Sequence, residues 1–70
     1  MNPIRKDILR SLERVCELDP DVRFGQLIAN LASMAAGPWD QTLWDLEDED
    51  LLTALRQLHS DLSARQQNVA

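Results

Sequence analysis

The chain has 70 residues, a formal net charge of −5 and one cysteine, with 44% hydrophobic and 27% charged residues. An internal disulfide is excluded, the apolar content is too high for a disordered acidic tail, and no apolar run approaches the roughly 18 residues of a membrane span. The acidic balance argues against nucleic acid or an anionic lipid surface as a partner, and a lone thiol without a basic-then-apolar leader sets the expected location as the cytoplasm.

The first predicted helix runs from Pro3 to Leu18. Asn2 is a good N-cap, and proline at the first helical position gives up no needed donor. Ile4, Ile8, Leu9, Leu12, Val15 and Cys16 recur at helical spacing as one apolar stripe. Asp19-Pro20 stops the helix. Cys16 is expected to be a buried, inert thiol.

The second predicted helix starts at Val22 or Arg23 with Asp21 as its cap, and ends at Ala35 ahead of Gly37-Pro38. Its apolar arc is Phe24, Leu27, Ile28, Leu31, Met34 and Ala35. Gly25 is costly inside a helix, by about 1 kcal/mol against alanine. Either it sits in a first turn where the cost is smaller, or a neighbouring backbone approaches it closely.

A connector from Gly37 to Leu46 carries Trp39, Leu43 and Trp44. The third predicted helix runs from Glu47 or Asp48 to Ala64, with Leu51, Leu52, Leu55, Leu58 and Leu62 on its stripe and His59 on the same arc. Glu47, Asp48, Glu49 and Asp50 crowd its start, where the helix dipole favours negative charge. Residues 65–70 are expected to fray.

There is no strand pattern and no repeat. The expectation is therefore an all-α fold: a single domain over residues 1–64, built as a small antiparallel three-helix bundle with the tryptophan connector between helices two and three. Leu12, Leu27, Leu31, Leu55 and Leu58 are expected to meet in its core. The up-down-up path puts the starts of helices one and three at one end, with the tryptophans as a lid near Ile4, Ile8 and Leu51. It also brings Arg5 and Lys6, unfavourable at a helix N-terminus, up to the acidic turn Glu47–Asp50.

One segment departs from the rest. From Phe24 to Trp39, sixteen consecutive residues carry no charge. Gln26, Ala29, Asn30 and Ser33 fall opposite the apolar arc of helix two, where a solvated helix normally carries Lys, Glu or Arg. Charge is depleted at the centres of protein interfaces, and small residues permit close approach. A core this small rarely supplies more than about 3–5 kcal/mol, so a partner chain is a reasonable staple. Helix two is therefore expected to be covered on both faces, with Gln26 and Asn30 at least partly buried and hydrogen-bonded. The second cover is either the connector with Trp39 and Trp44 or a second copy of the chain.

Chemistry is sparse. One histidine and one cysteine give no zinc spacing. A Cys16–His59 nucleophile pair would lack an oxyanion site. The run DQTLWDLEDED does not fit a calcium loop. Counted from Asp40 it puts Trp44 fifth and Leu51 twelfth; counted from Asp45 it puts Asp50 where glycine belongs and Arg56 last. A DNA-recognition helix is disfavoured, because six acids and no base lie between Phe24 and Leu55.

The blocks RFGQLIANL and WDLEDEDLL resemble a pattern in short bacterial proteins: Arg-Phe/Leu-Gly-Gln-Leu-Ile-x-Asn, a variable connector, then Asp-x-Glu/Ser-Asp-Glu-x-Leu-Leu. The match covers about Asp21 to Leu55. The resemblance implies no activity, cofactor or catalytic residue. It marks Arg23, Gly25, Gln26, Asn30, Asp45 and Asp48 as a set that interacts.

The resulting expectation is a non-enzymatic interaction module without cofactor or metal, self-associating (a dimer favoured) or binding another protein through Gln26, Ala29, Asn30, Ser33, Trp39 and Trp44. The alternative is an acidic inhibitor, antitoxin or nucleic-acid mimic that docks on a basic protein through the Asp40–Asp50 edge, with Asp45, Glu47, Asp48, Glu49 and Asp50 as its acids.

Overall fold

A computed structural model describes residues 1–36 and 43–67. Among them are three α-helices, α1 (Pro3–Leu18), α2 (Phe24–Ala36) and α3 (Asp48–Gln67), one short 3-10 turn at Leu43–Asp45, and no strand. Trp39 and the rest of 37–42, like the tail residues 68–70, lie outside the described residues.

The ends of α1 follow from local chemistry. The Ile4 amide donates to Oδ1 of Asn2 at 2.9 Å, with Pro3 at the first helical position. At the other end the Asp19 amide donates to the Val15 carbonyl at 3.0 Å.

The start of α2 differs from the sequence expectation. Asp21 does not cap it, because residues 19–22 are spent on a turn in which the Val22 amide donates to the Asp19 carbonyl at 3.4 Å. The helix begins after that turn, and the first carbonyl to accept is Arg23's, from the Leu27 amide at 2.9 Å. Its first turn holds no acid. An arginine is a poor residue at this end, since it offers no acceptor and its charge opposes the dipole. A Cβ built on Gly25 meets nothing within 4 Å. The close-approach explanation of Gly25 is therefore set aside, and the first-turn explanation stands.

At α3 the Glu47 carbonyl accepts from the Asp50 and Leu51 amides, both at 3.1 Å, and Asp48, Glu49 and Asp50 occupy the first turn. The helix continues past Ala64 to Gln67, so residues 65–67 are helical. Two features account for this. Arg65 complements the dipole in the last turn. Gln66 Nε2 donates to the Leu18 carbonyl at 3.1 Å, supplying a partner to one of the carbonyls that the end of α1 leaves open.

α3 packs against both α1 and α2, while α1 and α2 hardly touch directly. Arg5 meets Asp48 where α1 and α3 begin, and Gln66 meets Leu18 where α1 ends. Met34 and Ala35, near the end of α2, border a depression shared with Asp50, Thr53, Ala54 and Gln57 of the first half of α3.

The core joins one buried residue of α1, Val15, to Leu27 and Leu31 of α2 and Ala54, Leu55 and Leu62 of α3. Leu12 and Leu58, expected to meet the others in the core, are partly buried and pack against this cluster, as does Cys16. Ala54 was not predicted: a small residue on the face of α3 that receives α2 lets the two helices close. Leu9 is a correction to the α1 stripe. It is 51% exposed, because Ile8, Leu12 and Val15 already define the inward face and Leu9 lies about 100° around the helix from Ile8.

Candidate functional surfaces

The outer face of α2 is built by spacing alone. Positions 26, 29, 30 and 33 recur at three and four residues, so they lie together on the helix surface, away from the buried Leu27 and Leu31. Gln26, Ala29, Asn30 and Ser33 are all exposed. The expected burial of Gln26 and Asn30 is not found within one chain, and neither side chain has a hydrogen bond to a described residue. The physical reason is that α2 is backed by α3 on one side only. Nothing among the described residues returns over the other side.

The connector also differs from expectation. Trp44, on the 3-10 turn, is 93% exposed and does not lid the helices near Ile4, Ile8 and Leu51. Its companion Trp39 lies outside the described residues. Phe24, at the open start of α2, is 58% exposed, since the helix begins where its neighbours offer it no cover. The described structure therefore shows solvent a charge-free helix face, an exposed phenylalanine at its start and an exposed indole on the connector.

At the acidic edge, Asp45, Glu47, Glu49 and Asp50 are exposed and Asp48 is half-buried. As the charge pattern predicts, Asp48 is met by Arg5, whose Nε donates to Oδ2 at 3.3 Å. Asp48 is paired with Arg5 and not with Arg23, and Arg23, Gln26 and Asn30 have no side-chain bond to a described residue.

Cys16 and His59 are not brought into one site. His59 borders a groove between α1 and α3 that is also lined by Asp7, Arg10, Ser11, Arg14 and Arg56. Cys16 is not part of that lining and packs against the core instead. The groove itself was not anticipated. Its signal was present in the sequence as Arg10 and Arg14 four apart and Arg56 and His59 three apart. A net charge of −5 masked it, because a sum over the chain does not show that three of the seven Lys and Arg residues line one groove. Among the described residues, no group of three or more His, Cys, Asp and Glu stands close enough to hold a metal ion. No described helix is long and apolar enough to cross a membrane.

Comparison of the chain with protein-family models, with curated proteins and with solved structures gives no match.

Proposed function

We propose that this chain is a small, non-enzymatic protein-interaction module, an antiparallel three-helix bundle that forms a homodimer through α2 and the tryptophan connector. The observation that carries the proposal is the exposed outer face of α2. Gln26, Ala29, Asn30 and Ser33 stand in solvent with no charge among them, in a helix without a single charged residue. A helix face evolved only for water carries charge, and a face that must be desolvated loses it. Exposed Phe24 and Trp44 add large apolar surfaces of the kind that anchor interfaces.

A second copy is the occupant this face suits. In a twofold dimer the same patch meets itself, so a self-complementary surface is required. Ala29 and Ser33 permit close helix approach, while Gln26 and Asn30 offer both donors and acceptors and can pair across the axis. The buried cluster of the lone chain is small, and a partner chain is one of the few staples open to a domain with no disulfide. The lone cysteine is in keeping with a reducing compartment, and we place the protein in the cytoplasm on that ground.

Sedimentation velocity over a wide concentration range tests the proposal. A weight-average mass that rises from one chain to two with concentration is the expected result. A single-chain mass throughout would refute it, as would a mass that climbs without limit.

A further inference from the structure

We infer that the groove between α1 and α3 is a binding site for a phosphate group, carried by a small phosphorylated molecule. Asp7, Arg10, Ser11 and Arg14 recur at three and four residues on α1, and Arg56 and His59 at three on α3, so each set presents one face to the shared groove. The space they line is about 330 Å³, at the lower end of the range for small-molecule sites. α2 contributes nothing to it, so the site is separate from the proposed dimer surface.

Three observations point to an anion. Acids were available to neutralise these cations: Glu13 stands three residues beyond Arg10, and Glu17 three beyond Arg14. Arg10, Arg14 and Arg56 nevertheless make no ion pair or side-chain hydrogen bond with any described residue. Like charges four apart, as at Arg10 and Arg14, destabilise a helix, and a third cation across the groove adds to that repulsion. A ligand that neutralises all three would stabilise the folded chain.

The chemistry selects phosphate over carboxylate. Three guanidinium charges against the one carboxylate of Asp7 leave a formal excess of two positive charges with His59 neutral. A phosphate monoester carries about −1.5 to −2 at neutral pH, whereas a carboxylate carries only one charge. Guanidinium forks match phosphate oxygens two at a time, and the Ser11 hydroxyl and an imidazole N–H of His59 add further donors.

The test is an amide-resonance titration of the full chain with sodium phosphate, run beside sodium acetate and sodium chloride at equal ionic strength. Phosphate should give saturable shifts confined to residues 7–14 and 56–59, and acetate and chloride should not. Arg14→Gln and Arg56→Gln, both exposed and conservative for a helix, should each weaken binding about tenfold, the loss of one charge-assisted contact. Arg23→Gln, at a residue that does not line the groove, should leave binding unchanged. The inference is overturned if acetate or chloride reproduces the shifts, if Arg14→Gln and Arg56→Gln both titrate like the parent, or if phosphate has no effect. It is equally overturned if the same residues shift with protein concentration alone, since the acidic start of α3 from another copy would then be the occupant.

Discussion

Leu31→Ala is the perturbation that the core makes most severe. Leu31 is 1% exposed and sits in a cluster fed by all three helices, with Val15 from α1, Leu27 from its own helix, and Ala54, Leu55 and Leu62 from α3. Truncation removes three carbon atoms from the junction of those helices. Because the side chain lies in a cluster fed by three helices, the movement of one helix alone would not close the cavity. Leucine-to-alanine changes in such sites cost about 2–5 kcal/mol, the upper part applying where collapse is poor. A 70-residue chain at roughly 0.05–0.15 kcal/mol per residue has only about 4–10 kcal/mol in total. The mutant should therefore lose about half of its stability or more. Urea unfolding followed by far-ultraviolet circular dichroism reads this as a lower midpoint at unchanged slope, measured at one fixed protein concentration because association would add to apparent stability. Leu9→Ala, at a position 51% exposed, should move the midpoint far less. If Leu31→Ala unfolds like the parent, or if Leu9→Ala costs as much, the inward face assigned here is wrong.

Two smaller perturbations test local features. Gly25→Ala should stabilise the protein by up to about 1 kcal/mol, because a Cβ there meets nothing and the unfolded chain loses freedom; a destabilised mutant would mean that the first turn of α2 needs glycine. A double-mutant cycle of Arg5→Ala and Asp48→Ala should give a coupling of about 0–1 kcal/mol that fades in high salt, as for an exposed pair, and a larger, salt-insensitive coupling would contradict the surface position of both groups.

What the sequence disclosed and what it withheld divide along a physical line. The boundaries of α1 were legible because a cap, a proline and an Asp-Pro stop mark them within a few residues of chain. The Arg5–Asp48 pairing was legible because both charge clusters would otherwise oppose or crowd a helix end. The start of α2 was misjudged because Asp21 has the side chain of a cap, but whether it caps depends on how many residues the preceding turn consumes. The end of α3 was set too early because Gln66 gains its partner from Leu18, 48 residues away in sequence. Trp44 was expected to be covered because the up-down-up path puts the connector at the end where α1 and α3 begin; its exposure is a property of where the 3-10 turn projects, which periodicity does not encode. The Arg10–Arg14–Arg56–His59 groove was hidden by summing charge over the chain. Two short spacings held half of it each, and only the packing of α1 on α3 joined them.

The central claim is that the uncharged outer face of α2 is where two chains meet, and Ala29→Glu tests it most directly. Ala29 is exposed in the single chain and glutamate is a good helix former, so the substitution should leave the helix content and the fold of one chain intact. At a twofold contact it would instead bury two like charges against each other, which is strongly unfavourable. Sedimentation of the mutant beside the parent, at concentrations where the parent is dimeric, should give a single-chain mass together with a parent-like helical spectrum. A mutant that remains dimeric with parent affinity would contradict the account, because the surface holding two chains together would then lie somewhere other than α2.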